Sequence, residues 1–220
     1  MDAQTSIRNL LPTMASMPFI DINLDLLFQN RISPLVTPPF SILVQQRIIW
    51  QETLRLGAYT YGGYLEDREF TWQKTYLEKD KKFIHLGVDI NVPANTPVFS
   101  PIDGRVIDIL VDTDEDIGWG ARVIVEPSRA GHPLLLFAHL APDIVSLGRI
   151  QQGDSIGLVG TYPQNGNVFE HLHVQAIHPH VLTDPTWKES LDGYLSRSRH
   201  ILTGYYPHPL EAIDAMLGQR

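Results

Sequence analysis

The chain of 220 residues contains no cysteine, which excludes disulfide bonds and any metal site built on thiolates. It also lacks an excess of positive charge, because 17 Lys and Arg stand against 25 Asp and Glu and the formal net charge is −8. This charge argues against binding to nucleic acid or to an anionic membrane surface. With 43% hydrophobic residues, one domain with an ample core is the simplest organisation, and two small domains are the alternative.

Long apolar runs and targeting signals are missing as well. No stretch of the sequence approaches the roughly 20 apolar residues that a membrane span needs. At the N-terminus Arg8 is the single early base, and Pro12 and Pro18 interrupt a modest apolar stretch, which is not the pattern of a secretory signal. We therefore expect no membrane partner and, for the chain as it stands, a cytoplasmic location.

Two histidines, His171 and His173, stand in a segment rich in apolar and β-branched residues (170–177) that is typical of a β-strand. Residues i and i+2 of a strand project from the same face, so Leu172 should point into a core. Two adjacent imidazoles can share one site, in which one ring binds a metal ion and the other bonds to the group at the open metal position. A pair of solvated strand histidines is the alternative.

Two shorter phrases also carry metal-binding side chains. His85 and Asp89 are four residues apart, a spacing that would place them on one face of a helix. Gly87 and the alternating apolar residues of 88–92 favour a strand instead, with His85 on a turn just before it that the glycine permits. His139 follows an apolar run that predicts a buried strand. Taken singly, each phrase is also compatible with a surface turn or a buried structural histidine.

In order, the phrases His85-Leu-Gly-Val-Asp89, Phe137-Ala-His139-Leu140 and His171-Leu-His173 resemble those of the lysostaphin/LytM-type zinc metalloendopeptidases. The resemblance runs from about residue 84 to residue 177. Residues 95–107 look like the family's hairpin, with a tight turn at Asp103-Gly104, and residues 150–160 like its glycine-punctuated strand.

The resemblance implies that His85, Asp89 and His173 bind zinc and that His139 and His171 are the catalytic pair. Two imidazoles and one carboxylate leave zinc a fourth position for water. It further implies hydrolysis of peptide bonds, in peptidoglycan stem or bridge peptides. The implied fold is mostly β, with two antiparallel sheets forming a groove (a barrel-sandwich or duplicated hybrid motif) and peripheral helices at both ends.

One position departs from the family pattern, because Phe169-Glu170 replaces a small or Gly-Pro-type pair before the last two histidines. We expect Phe169 to narrow the cleft and Glu170 to disfavour a carboxylate near the cleaved bond.

The remaining sequence predicts an accessory N-terminal segment (1–75), the peptidase domain (76–182) and a C-terminal extension (183–220). Helices are expected over residues 41–56 and 209–217. The aromatic and glycine-rich residues 59–64 predict a turn that packs on the sheet or floors the cleft. The acidic run 112–116 predicts a solvated loop.

Two other functions use similar patterns. A biotinyl or lipoyl carrier shares the short strands with Asp-Gly and Gly-Asp turns, but it requires a modified lysine at a hairpin tip, which neither hairpin here has. A non-catalytic zinc-binding regulator or peptide-binding module on the same fold is the stronger alternative. Relatives of that kind lose zinc ligands, whereas this chain keeps all five site residues, so the enzyme is favoured. The sequence does not indicate an oligomeric state.

Overall fold

Short runs of β-branched and aromatic residues, separated by Gly, Pro and Asn, form much of the regular structure. The structure, a computed structural model, describes residues 3–112, 118–187, 191–198 and 204–218. The strands in these ranges are β1 (Phe19–Asp21), β2 (Tyr59–Gly62), β3 (Lys82–His85), β4 (Val88–Asn91), β5 (Pro97–Phe99), β6 (Gly104–Val111), β7 (Ala121–Pro127), β8 (Leu134–Leu140), β9 (Gly148–Ile150), β10 (Ser155–Leu158), β11 (Leu172–Ile177) and β12 (Tyr194–Ser196). The helices are α1 (Ala3–Leu10), α2 (Leu24–Arg31), α3 (Ile42–Leu56), α4 (Tyr76–Lys79) and α5 (Pro209–Leu217).

Eight of these strands form one sheet in the order β1-β2-β4-β11-β8-β7-β6-β9. The pair β1 and β2 is parallel, and the other pairs in this sheet are antiparallel. Strands β5 and β10 form a small antiparallel sheet, as do β3 and β12. The prediction of a mostly β fold with antiparallel sheets and peripheral helices is confirmed, and within the described residues the strands are divided among three sheets.

Strand β8 lies in the middle of the large sheet and is buried along its whole length. Leu135 and Phe137 belong to the main hydrophobic core, whereas Leu134 and Leu136 pack in a second cluster with Trp187. Because both faces of the strand are covered, the sequence shows a continuous apolar run instead of an alternation. The buried strand predicted before His139 is confirmed.

Both predicted helices are present. Helix α3 begins one residue after the predicted start, and Gly57 ends it in the left-handed conformation (φ 61°) that glycine adopts without strain. Helix α5 has the predicted bounds, with Pro209 in its first turn. It packs beside α1, where the Ser6 hydroxyl donates a hydrogen bond of 2.8 Å to the carbonyl of Leu210.

Two local predictions are wrong. Residues 95–107 are not a hairpin, because β5 pairs with β10 while β6 pairs with β7 and β9. A tight turn between two β-rich runs therefore does not mean that those runs pair with each other. Residues 59–62 are not a turn but strand β2, whose Tyr59 and Tyr61 pack against the main core.

The terminal segments contact the central strands. Strand β2 pairs with β4, and β12 pairs with β3, so both ends of the chain contribute to the sheets around the predicted site. The domain boundaries at residues 75 and 182 stay predictions. Residues 113–116 of the acidic run lie outside the described residues. In the part of the chain that is described, no helix has the length and apolar character to cross a membrane.

Candidate metal centre and active site

Three neighbouring strands bring His85, Asp89 and His173 together. In the register of the sheet, His173 on β11 lies directly opposite Asp89 on β4. His85 is the last residue of β3, so the prediction that it stands on a turn is wrong. Its pairing opposite Tyr194 of β12 extends the strand up to the site.

Gly87 has a different role from the predicted one, because its φ is not in the left-handed region. A Cβ atom at this position would lie 2.4 Å from Cε1 and 2.6 Å from Nε2 of His173. Such distances are far below van der Waals contact. The glycine is therefore needed to make room for the imidazole of His173.

The donor atoms of the three side chains converge on one point. His85 Nε2 lies 3.1 Å from His173 Nδ1 and 3.4 Å from Asp89 Oδ1, and the last two atoms are 3.0 Å apart. Ligands about 2.0–2.2 Å from a tetrahedral zinc ion would be about 3.3–3.6 Å from one another. The triad is thus slightly tighter than a loaded zinc site and has the right size for one.

In each ligand ring, the hydrogen bond made by the nitrogen that faces away from the triad determines which nitrogen carries the proton. His85 Nδ1 donates a hydrogen bond of 2.9 Å to the Gly63 carbonyl, and His173 Nε2 donates one of 3.2 Å to Gln175 Oε1. Burial and the nearby Arg68 guanidinium lower the pKa of His85 to about 3, so its ring is neutral. With the protons on His85 Nδ1 and His173 Nε2, the lone pairs for a metal ion are on His85 Nε2 and His173 Nδ1.

Asp89 supplies the negative charge of the triad. Burial would raise its pKa, but the neighbouring His85, His171 and Arg68 side chains outweigh this effect and lower the pKa well below its usual value. The carboxylate is therefore ionised, and its Oδ1 lies 3.4 Å from His85 Nε2 and 3.0 Å from His173 Nδ1. Three potential electron-pair donors this close need a proton or a metal cation between them, and two imidazoles with one carboxylate are a donor set that fits zinc.

His139 and His171 lie beside the triad. His139 is a buried strand residue with a φ of 61°, at an irregularity in the pairing of β7 and β8 that turns its side chain into the cleft. His139 Nδ1 donates a hydrogen bond of 2.9 Å to the Asn165 carbonyl, and His171 Nδ1 donates one of 2.7 Å to the Phe169 carbonyl. In its neutral form, each ring therefore keeps Nε2 as an acceptor.

The two rings also lie close to each other, with centroids 4.5 Å apart, and His171 Nε2 is 3.3 Å from Asp89 Oδ1. Burial, then the proximity of His171 and His173, lower the pKa of His139 well below its usual value. His139 is therefore a neutral imidazole, and it lines the cleft.

The five predicted residues form two overlapping triads that could hold a cation. One consists of His85, Asp89 and His173, and the other of His139, His171 and His173, each with donor atoms within 4.8 Å of one another. The first triad includes a carboxylate, whose charge compensates that of a divalent cation, whereas the second consists of imidazoles alone. All five residues come together, and which of them bind the metal stays a prediction.

A cleft of about 450 Å³ opens over these residues. Its walls are largely aromatic and include Trp72, Tyr76, Trp119, Phe169 and Tyr194. Phe169 lines the cleft as expected and packs edge-on against Phe28 of α2, with ring centroids 6.1 Å apart.

The expected effect of Glu170 on substrate choice stays a prediction. Its carboxylate accepts a hydrogen bond of 3.3 Å from the Ala94 amide and does not line the cleft. Among the described residues, Asp112 and Asp192 are acidic side chains in the cleft wall.

Sequence reasoning missed three residues that contact the site. The buried Arg68 donates a hydrogen bond of 2.6 Å to Asp89 Oδ2 and one of 3.2 Å to the Tyr194 hydroxyl. The same hydroxyl accepts a bond of 2.8 Å from the Trp72 indole. Gly63, where the backbone closely approaches the Arg68 and His85 side chains, is the local signal that could have pointed to this segment.

Residues 83–185 match the family model of peptidase family M23. This match confirms the resemblance that the three phrases predicted. No curated protein sequence matches the chain.

Several solved structures are similar to part of the chain. A Pseudomonas aeruginosa structure assigned to peptidase M23 is 30% identical over 42% of this chain and 37% of its own length, with a TM-score of 0.35. The catalytic domain of the antimicrobial peptidase lysostaphin from Staphylococcus simulans is 19% identical over 60% of this chain and 80% of its own length, with a TM-score of 0.43. A zinc-containing peptidase from Vibrio cholerae is 23% identical over 48% of this chain and 30% of its own length, with a TM-score of 0.34. This chain thus spans about a third of the length of the first and third of these proteins.

Proposed function

We propose that this chain, which contains a peptidase family M23 domain of the lysostaphin/LytM type, is a zinc-dependent endopeptidase that cleaves short cross-linking peptides of peptidoglycan. The observation that carries the proposal is the convergence of His85 Nε2, Asp89 Oδ1 and His173 Nδ1 within 3.0–3.4 Å of one another at the base of a cleft. Two further imidazoles line the same cleft and are free to exchange protons.

His85, Asp89 and His173 would hold the zinc ion. When bound, zinc polarises a carbonyl group and lowers the pKa of a water molecule toward about 7. Strands β4 and β11 carry Asp89 and His173 on paired, buried backbone, so these ligands are held on rigid elements. The hydrogen bonds to Gly63 and Gln175 fix the two imidazoles in the tautomers that leave a lone pair for the metal.

His139 and His171 are assigned to proton transfer. The hydrogen bonds from their Nδ1 atoms to backbone carbonyls leave each Nε2 as an acceptor in the cleft. One Nε2 takes the proton of the attacking water as its oxygen bonds to the peptide carbon, and the proton is then given to the leaving amine as the C–N bond breaks. Protonated imidazole also stabilises the oxyanion of the tetrahedral intermediate. General acid–base catalysis of this kind contributes about 10²–10⁴-fold.

The cleft favours a slim, extended peptide. Its volume of about 450 Å³ is bounded by aromatic walls, which suit Gly- and Ala-rich segments better than bulky ones. Asp112 in the wall would disfavour a carboxylate next to the cleaved bond, whereas the charge of Asp192 is compensated by Lys82 at 2.8 Å. Together with the resemblance, these features support stem or bridge peptides of peptidoglycan as substrates.

The test is incubation of the zinc-loaded full chain with purified sacculi and with a Gly/Ala peptide library, followed by mass spectrometry of the fragments. We expect cleavage at Gly or Ala bonds, loss of cleavage with a zinc chelator and recovery on addition of zinc. If a folded protein with one zinc per chain cleaves neither substrate but binds the peptides, it is a peptide-binding module and the proposal is wrong.

A further inference from the structure

Arg68 is a fully buried cation beside the candidate metal centre. Its side chain is 2% exposed, and it lies outside the residues that match the family model. Gly63 makes room for it, since a Cβ atom there would lie 2.1 Å from Nη2 of the guanidinium. The segment from residue 63 to residue 68 is therefore shaped to bring this charge to Asp89.

Stability alone does not account for this arginine. Its Nε and Nη2 atoms have no hydrogen-bond partner among the described residues, and the nearest second carboxylate, Glu66 Oε2, is 3.6 Å from Nη2. A buried charge with unpartnered N–H groups is costly, and well-packed apolar residues in place of a buried ion pair are often neutral or stabilising. Arg68 should therefore have a role at Asp89.

The two oxygen atoms of Asp89 have different surroundings. Oδ1 lies 3.0 Å from His173 Nδ1, 3.3 Å from His171 Nε2 and 3.4 Å from His85 Nε2. Oδ2 instead accepts the charged hydrogen bond of 2.6 Å from Arg68 Nη1. A carboxylate can bind a metal ion through one oxygen or through both. Here the second oxygen is already occupied.

We propose that Arg68 is a positioning residue that holds Asp89 as a one-oxygen ligand and thereby keeps the metal centre four-coordinate. The inference rests on the proposed function, because it requires that the triad of His85, Asp89 and His173 binds the metal. A four-coordinate site with two nitrogen ligands suits zinc, whereas Mn²⁺ prefers more oxygen ligands and a higher coordination number. Arg68 would thus favour zinc over manganese.

The experiment uses the full chain loaded with Co²⁺, whose visible absorption distinguishes four-coordinate from higher-coordinate sites. Zinc and manganese affinities are measured in parallel by competition with a chelator. Wild type should give the intense four-coordinate spectrum. Arg68→Met frees Oδ2, so we expect a weaker, five-coordinate-type spectrum, about 10–100-fold weaker zinc binding and a smaller ratio of zinc to manganese affinity.

Two further variants separate positioning from folding. Arg68→Lys keeps a cation that can donate to Oδ2 and should restore the four-coordinate spectrum. Arg68→Gln fills more of the space than methionine, provides a second neutral replacement if Arg68→Met does not fold, and should change the spectrum in the same direction.

Arg122→Met is the matched control, because Arg122 is 3% exposed and donates a hydrogen bond of 2.7 Å to Asp108, away from Asp89. It should lower the thermal midpoint without changing the Co²⁺ spectrum. If the neutral Arg68 variants lower the midpoint in the same way and keep the wild-type spectrum and metal preference, Arg68 is structural and the inference is wrong. If wild type itself binds neither Co²⁺ nor zinc, the proposed function is wrong, and the inference falls with it.

Discussion

The central strands and the segment of residues 63–72 contribute to the same site in different ways. Strands β4, β8 and β11 present donor atoms toward the cleft, as with Asp89, His139 and His173. The segment 63–72 instead binds the atoms of His85 and Asp89 that face away from the proposed metal position. The Gly63 carbonyl accepts a hydrogen bond from His85 Nδ1, and the Arg68 guanidinium donates one to Asp89 Oδ2. The strands thus provide the reactive atoms, and the segment orients two of them, His85 and Asp89.

This division predicts that changes in the two regions can be distinguished experimentally. Loss of a donor atom should remove metal or activity outright. Loss of a contact behind a donor should weaken metal binding by a limited factor, because the donor itself remains. Variants of single residues can separate these two effects.

The largest effect is expected from Asp89→Ala. The substitution removes a metal ligand and also leaves the buried Arg68 charge without its 2.6 Å partner. We expect loss of metal and of hydrolysis, together with a decrease of about 3–5 kcal/mol in the free energy of unfolding. His85→Ala should lose metal and activity with a smaller loss of stability, because it leaves no unpaired charge.

Metal content by mass spectrometry and chemical denaturation measure these two effects. His180→Ala, at an exposed histidine outside the cleft, is the control and should match wild type in both. Full metal content in Asp89→Ala would contradict the assignment of Asp89 as a ligand.

The same division explains how much could be predicted from the sequence. The phrases with His85, His139 and His173 could be recognised because their residue types and spacing are restricted by metal chemistry. The buried run of β8 and helices α3 and α5 were predictable from apolar patterns and from capping residues. These are local properties of the sequence.

Other features depend on contacts between distant parts of the chain. The pairing of β5 with β10, about 60 residues away, is determined by packing in three dimensions and overrides the tight turn at Asp103-Gly104. Arg68 gives no signal because its contact with Asp89 spans 21 residues and a single arginine has no characteristic spacing. The local sequence indicates a turn at Gly87, because the His173 imidazole that the glycine accommodates stands 86 positions further along the chain.

The second largest effect is expected from His139→Ala and His171→Ala, the variants at the proton-transfer positions. Because the metal triad remains intact, metal content should stay near one ion per chain while kcat falls by about 10²–10⁴-fold. The measurement is kcat together with metal content on the same preparations. Loss of metal in His139→Ala would instead support the alternative triad of His139, His171 and His173.

A smaller effect is expected from Gly87→Ala. The added Cβ would lie 2.4 Å from His173 Cε1, so the imidazole must shift away from the other two ligands. We expect zinc affinity to fall by about 100-fold, the upper end of what displaced supporting contacts cause. Gly204→Ala is the control, since a Cβ there has no atom within 4 Å and its backbone is not in the left-handed region. Unchanged zinc affinity in Gly87→Ala would show that the His173 ring is not a ligand.

The smallest effect is expected from Gln175→Ala, behind His173 on the same strand. Gln175 is fully buried, and its Oε1 accepts the 3.2 Å hydrogen bond from His173 Nε2. Without this acceptor the ring loses its preferred tautomer but keeps its position between β4 and β8, so zinc affinity should fall by about 10-fold.

The matched control for Gln175→Ala is Asn91→Ala on the adjacent strand β4. Asn91 is equally buried and donates a hydrogen bond of 2.9 Å to the Thr60 hydroxyl, without contact to the site histidines. Each truncation leaves a buried polar group without its partner, so each should lower the free energy of unfolding by about 1–3 kcal/mol. Chelator competition should then find weaker zinc binding in Gln175→Ala alone. Equal zinc affinities in the two variants would mean that the hydrogen bond from His173 to Gln175 supports the fold and not metal binding. The difference between donor atoms and the contacts behind them would then not hold for His173.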